Sequence, residues 1–210
     1  MFVLSSDAPP ALPFWIDGRA VLTLGEHFVD VRHAGSGAVV RRLPVCGADE
    51  AQRAVASAAA AQALWSARSE AERKDCLATL AGKLAGYAPH FAALLEEEAG
   101  VPSAEAGQLI AAAQACLESV QADSTSARRI VMVSESGREG FLATVGALSR
   151  ALASGTCVVV LSDPGSPSAL LALAELATRS GVPDGVFNLI HGDAQSANAL
   201  AVAVSAEAAA

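Results

Sequence analysis

A chain of 210 residues, 52% apolar and only 17% charged, can bury a large core and fits one domain with at most an appendage. Its formal charge of -8, with no run of lysine and arginine longer than a pair, argues against a nucleic-acid partner. The cysteines at 46, 76, 116 and 157 show neither CxxC spacing nor a small disulfide framework, and no apolar run reaches the roughly 20 residues of a membrane span, so the expectation is a soluble cytoplasmic protein with reduced thiols and no membrane contact.

In chain order, residues 1–13, with Ser5-Ser6 and three prolines, read as a flexible or extended lead-in, and the domain is expected to run from Phe14 to the last residue. Phe28-Val-Asp-Val31 and Val39-Val40 flank Ala34-Gly-Ser-Gly37, which predicts a hairpin. Alanine-rich helices follow. Asp49 with Gln52, and Ser69 with Glu72, have the spacing of capping boxes and predict two helix starts. Leu77, Leu80, Leu84, Tyr87, Phe91 and Leu94 form one apolar stripe, which Pro89 after Gly86 divides into two helices meeting at a kink. The run Glu96-Glu97-Glu98 reads as a solvated helix face. Gly100 and Pro102 end that helix, and Ser103 is expected to cap another reaching about Ala122.

After a polar link, Ile130-Val-Met-Val133 predicts a strand. From Phe141 onward the pattern is most regular. A helix ends at Gly155, and Thr156-Cys-Val-Val-Val-Leu161 is the all-apolar run of a strand buried on both faces. Ser166 with Pro167 starts a second helix that stops at Gly181, and Val182-Pro-Asp-Gly185 turns into the strand Val186-Phe-Asn-Leu-Ile190. Strand, helix, strand in this order implies right-handed parallel crossovers. The fold class predicted is α/β, a Rossmann-like parallel sheet with flanking helices, preceded by a short β-hairpin region and a helical segment.

Ala151-Leu-Ala-Ser-Gly-Thr-Cys-Val-Val-Val160 and Gly181-Val-Pro-Asp-Gly-Val-Phe-Asn-Leu-Ile-His-Gly192 closely resemble the NAD-binding domain of aldehyde dehydrogenases. Upstream, Phe14-Trp-Ile-Asp-Gly18, Asp49 to Ala56, Trp65 to Arg73 and Glu98-Ala-Gly-Val-Pro102 resemble further segments of that family, the last with the family's lysine replaced by Val101. The resemblance implies NAD or NADP as cofactor, a cysteine nucleophile and a glutamate base. It places both catalytic residues downstream of the stretch matching Val186 to Ile190, so no catalytic residue is assigned to this chain. Where the family has an oxyanion asparagine this chain has Ser136-Gly137-Arg138, and where the family's Lys-Pro-Ser-Glu turn holds the cofactor ribose it has Leu161-Ser162-Asp163-Pro164.

Ser162, Asp163 and Arg138 are therefore the candidate cofactor-binding residues. Each has a plainer alternative: Arg138 as a solvated loop arginine, Asp163 as a turn former. The lost lysine and glutamate point to a nucleotide that is not bound. Cys157, in a strand, reads as structural; Cys46, beside Gly47, is the least buried candidate for a reactive thiol. The histidines at 27, 33, 90 and 191 show no metal-ligand spacing, and His191, at a strand end, is the one worth mutating. The family's interface hairpin has no room between the helices and the first strand of the sheet, which predicts an exposed edge and hence self-association or a protein partner. The expectation is a non-catalytic structural or interaction module. The alternatives are the N-terminal portion of an NAD(P)-dependent aldehyde dehydrogenase, or a regulatory module binding an anionic metabolite at Arg138 and the strand ends.

Overall fold

A computed structural model describes residues 9–23, 25, 27–120, 131–133, 139–162 and 164–208. Fourteen elements are described among them. The strands β1 (Phe14–Ile16) and β2 (Arg19–Val21) form a hairpin, as do β3 (Phe28–Arg32) and β4 (Val39–Pro44). Four helices follow: α1 (Ala48–Ala67), α2 (Glu70–Gly86), α3 (Ala88–Ala99) and α4 (Ser103–Glu118). The remainder alternates as β5 (Val131–Val133), α5 (Gly140–Ala153), β6 (Val158–Ser162), α6 (Pro167–Thr178), β7 (Phe187–His191) and α7 (Ala194–Glu207).

The main sheet has the order β2-β1-β7-β6-β5. Strands β5, β6 and β7 are parallel, as the alternation of strand and helix predicts. The opening hairpin does not stand apart from this sheet: β1 lies antiparallel on β7 through the pair Trp15↔Leu189. Strands β3 and β4 form a separate ribbon, with a register irregularity between Val31 and Arg32. Residues 10–12 lie along that ribbon, where Leu12 donates to the Arg42 carbonyl and Arg42 to that of Pro10.

All five residues of β6 and of β7 are buried. Successive side chains of a strand face opposite ways, so both faces of the sheet centre are covered by helices. Helix α1 packs on β6 and β7, α6 on β7 and β1, and α5 on β5 and β6, while α2 and α4 form an outer layer with α3. Trp65, fully buried, donates its indole N–H to the Leu152 carbonyl at 3.1 Å, which ties α1 to the end of α5.

The helix starts differ in detail from the sequence expectation. The Ser69–Glu72 box forms, with the Ser69 amide 2.7 Å from Glu72 Oε2 and the Glu72 amide 3.3 Å from Ser69 Oγ. The Asp49–Gln52 box does not. Gly47 is the N-cap of α1, and Glu50 reaches back to its amide at 3.0 Å. The shift has a cause in the preceding residues, since the Val45 and Cys46 amides are already bound to the His27 and His191 carbonyls and release the chain two residues early. Similarly Ser103 is the first residue of α4 rather than its cap, Pro102 holding the cap position, and the helix ends at Glu118. The kink between α2 and α3 falls at Tyr87, with Pro89 in the first turn of α3, where a missing amide costs no hydrogen bond. Tyr87 itself leaves the buried stripe and is 53% exposed.

A two-residue hairpin turn of type I′ needs positive φ at both central positions, and Asp17 (φ 56°) and Gly18 (φ 68°) supply it between β1 and β2. Fully buried Asn188 then fastens this turn to β7. Its Oδ1 accepts the Asp17 amide at 3.0 Å, and its Nδ2 donates to the Gly185 carbonyl at 2.7 Å. Asn188→Ala is expected to lower the unfolding free energy by about 2 to 3 kcal/mol, because it leaves buried backbone groups unpaired. Urea unfolding with an unchanged m-value checks this; a loss under about 0.5 kcal/mol contradicts it.

Candidate functional site

Parallel sheets bind ligands at the carboxyl ends of their strands, so the ends of β6 and β7 are the place to look. Ser162 and His191 are the last residues of those two strands and are paired in register. Ser162 Oγ lies 2.5 Å from His191 Nδ1, and His191 Nε2 lies 2.9 Å from the Pro13 carbonyl. A carbonyl only accepts, so Nε2 carries the ring proton, Nδ1 accepts, and the Ser162 hydroxyl donates to it. The Phe14 ring sits 5.7 Å from the imidazole, centroid to centroid.

A serine bonded to a histidine is the pairing that activates a hydroxyl nucleophile. Here Ser162 is 1% exposed and His191 fully buried, so no substrate reaches the oxygen. Burial also pushes the imidazole down to about 4, with the Pro13 carbonyl partly opposing, so the ring stays neutral and takes up no proton near neutral pH. The chain Ser162, His191, Pro13 is a polar lock between β6, β7 and the strand entry to β1.

Of the other sequence candidates, Arg138 and Asp163 lie outside the described residues. Leu161, at the position matched to the family's cofactor lysine, is 5% exposed, and Val101, at the family's other lost lysine, is fully buried. Cys46 is not the accessible thiol the sequence suggests. It is 2% exposed, its amide donates to the His191 carbonyl, and its own carbonyl accepts from Ser196 Oγ at 2.8 Å. Burial, with the Glu50 charge adding, pushes its thiol up to about 12; burial alone does the same for Cys157. Cys76 is buried with its Sγ 3.3 Å from the Gly181 carbonyl, and Cys116 is half-buried in α4. Among the described residues no group of three or more His, Cys, Asp or Glu side chains could hold a metal ion.

A cleft of about 520 Å3 lies beyond the end of β7, lined by His27, Phe28, Val45, Cys46, Asp193 and Gln195 among others. The N-termini of α1 and α7 both border it, and three of the amides there are bound by the chain's own carboxylates. Asp193 accepts from the Gln195 and Ser196 amides at 2.9 and 3.1 Å, as Glu50 does from Gly47.

Sequence reasoning missed Glu98. Only 6% exposed, it is no part of a solvated face. Its Oε2 accepts the Ser168 amide at 3.1 Å, and its Oε1 stands 3.4 Å from Arg41 Nη1. Burial pushes its carboxyl above the ordinary range, with Ser168 and Arg41 pulling the other way and Glu97 adding to the rise. The signal was present: the stripe through Phe91 and Leu94 continues to position 98, four residues on.

Taken together, a parallel β7-β6-β5 core with crossover helices is the first half of a doubly wound α/β sheet of the dinucleotide-binding class. Residues 23–143 and 139–208 match the model of the aldehyde dehydrogenase family, and the chain belongs to that family. It is 29% identical over 214 residues to a probable methylmalonate-semialdehyde/malonate-semialdehyde dehydrogenase of Caenorhabditis elegans, covering 92% of this chain and 41% of that protein. Lactaldehyde dehydrogenase from Escherichia coli superposes with a TM-score of 0.84 at 24% identity, over 92% of this chain and 45% of the other. PnpE, solved in complex with nicotinamide adenine dinucleotide, gives 0.83 at 26% identity, over 90% and 43%. The chain thus spans about two fifths of the length of the curated relatives it matches. No helix among the described residues is long and apolar enough to cross a membrane.

The His191 environment makes a pH prediction. Its folded pKa lies below the ordinary 6.5, so the unfolded chain takes up a proton that the folded chain refuses. The stability is full above about pH 6.5 and is lost as the pH falls toward 4, by about 3 kcal/mol from this group. Chemical denaturation of the wild type and of His191→Gln across this window is expected to show a shallower slope in the variant; parallel slopes contradict it.

Proposed function

We propose that this chain serves as a non-catalytic structural or interaction module of aldehyde dehydrogenase type. The observation that carries this reading is the state of two of its four thiols. Aldehyde oxidation by a cysteine needs a thiolate, and Cys46 and Cys157 are buried with their thiols held at about 12. The strand-end chemistry supports it as well. The hydroxyl of Ser162, one of the candidate cofactor contacts, is turned inward to His191, and an apolar Leu161 occupies the position matched to the ribose-binding lysine. A protein partner, or a second copy of the chain, is the proposed occupant of the β5 edge, which pairs with β6 alone among the described strands.

The second reading is the N-terminal portion of an NAD(P)-dependent aldehyde dehydrogenase, favoured by the likeness to the NAD complex of PnpE. Such a portion would supply the fold that positions NAD or NADP, and the residues for hemithioacetal formation and deacylation would come from elsewhere.

Calorimetric titration with NAD and NADP separates the two. No heat up to millimolar nucleotide is expected. Micromolar binding that survives Ser162→Ala would overturn the non-catalytic reading in favour of the second. Thiol labelling in the folded state at pH 7.5 is expected to leave Cys46 and Cys157 unmodified until the chain is denatured, and fast labelling of either removes the observation on which the reading rests.

A further inference from the structure

Helix α6 begins at Ser166, which holds the N-cap position with φ -158° and ψ 44°, yet its side chain makes no cap hydrogen bond. Pro167 has no amide to satisfy, so the first donor left exposed at this helix end is the Ser168 amide. That donor is bound by Glu98 Oε2 at 3.1 Å, from a helix 70 residues earlier. We propose that Glu98 is a positioning residue that caps α6 from another helix, so that α3, the β3–β4 ribbon and the turn leaving β6 move as one unit.

Three observations join here. The Glu98 side chain is fully buried, and a carboxylate without a partner in such a place is costly, so its position is set by what it binds. A negative charge at a helix N-terminus is favoured by the partial positive charge of the helix end. And Arg41, on the ribbon, stands against both glutamates, 2.5 Å from Glu97 Oε2 and 3.4 Å from Glu98 Oε1, while the Ala34 amide in the ribbon turn donates to the Glu97 carbonyl at 2.8 Å. The groups facing the carboxylate are therefore Arg41 from β4, Glu97 from α3 and the Ser168 amide from α6. Since β6 runs into the turn before Ser166, the arrangement ties the carboxyl end of the sheet to α3 and the ribbon. It holds whether or not a nucleotide binds, and so is independent of the function proposed above.

Amide hydrogen exchange on the full chain tests it, with Glu98→Ala, Glu98→Gln and the exposed control Glu96→Ala. In Glu98→Ala the amides of residues 168–170 are expected to exchange about tenfold faster, the size of a lost cap, with α2 and α5 unchanged. Glu98→Gln keeps an acceptor oxygen but loses the charge, and is expected to fall between Glu98→Ala and wild type at the same residues. Glu96→Ala is expected to match wild type throughout. Exchange at 168–170 that stays at the wild-type rate in Glu98→Ala, or that rises there only as much as in α2, overturns the proposal. Should Glu98→Ala fail to fold, Glu98→Gln decides: local acceleration in the first turn of α6 supports the cap, and wild-type exchange there overturns it.

Discussion

The attachment of β1 to β7 rests on two polar side chains in a strand buried along its whole length. Backbone pairing between these strands amounts to one register pair, too little to hold a three-residue strand against the sheet. Asn188 and His191 supply the rest, one bonding the turn at one end of β1 and the other the residue before its start. Each lies three positions from the other along β7, so they reach toward opposite faces and clamp the hairpin from both. Trp15 adds a third tie, from its indole N–H to Thr178 Oγ1 on α6. Burying an amide and an imidazole costs several kcal/mol apiece when their bonds are unmade, and that cost makes them specific: β1 fits in one register or the polar groups go unpaired. Without β1, the apolar β7 would itself be a sheet edge.

Much of this was legible in the sequence, and the reasons are local. Strands β6 and β7 announce themselves as apolar runs bounded by Gly155, Gly181 and Gly185, because a strand covered on both faces has no polar side to show. The Ser69 cap could be read because both partners lie within four residues. What escaped was long-range. The start of α1 is set by Cys46 meeting a carbonyl of β7, and the cap of α6 comes from Glu98; neither partner is near in sequence. The same holds for Cys46, whose neighbours in sequence are a proline, a valine and a glycine, and whose burial is imposed by α7 and β7. Ser162 was legible as a strand-end hydroxyl, but not that a histidine on the next strand would claim its proton.

A common pattern runs through the helix starts near the carboxyl edge of the sheet. The first turns of α6 and α7 each accept a carboxylate from the chain itself, from Glu98 and Asp193, and Glu50 binds the N-cap amide of α1. Helix N-termini in that position are where α/β proteins hold anions, because amide donors and the helix dipole converge there. In this chain a carboxylate already stands at each of the three places, and an incoming phosphate meets it there. For a chain of net charge -8 the local and the global electrostatics have the same sign.

The closing of the sheet by its first strand also fixes when folding can be completed. The hydrogen bond from His191 to Pro13 spans 178 residues, so β1 must wait for a strand made that much later. At ordinary rates of synthesis that interval is on the order of ten seconds or more, during which the aromatic pair Phe14-Trp15 has no place to dock. The nascent hairpin is thus the segment that a holdase would have most reason to shelter.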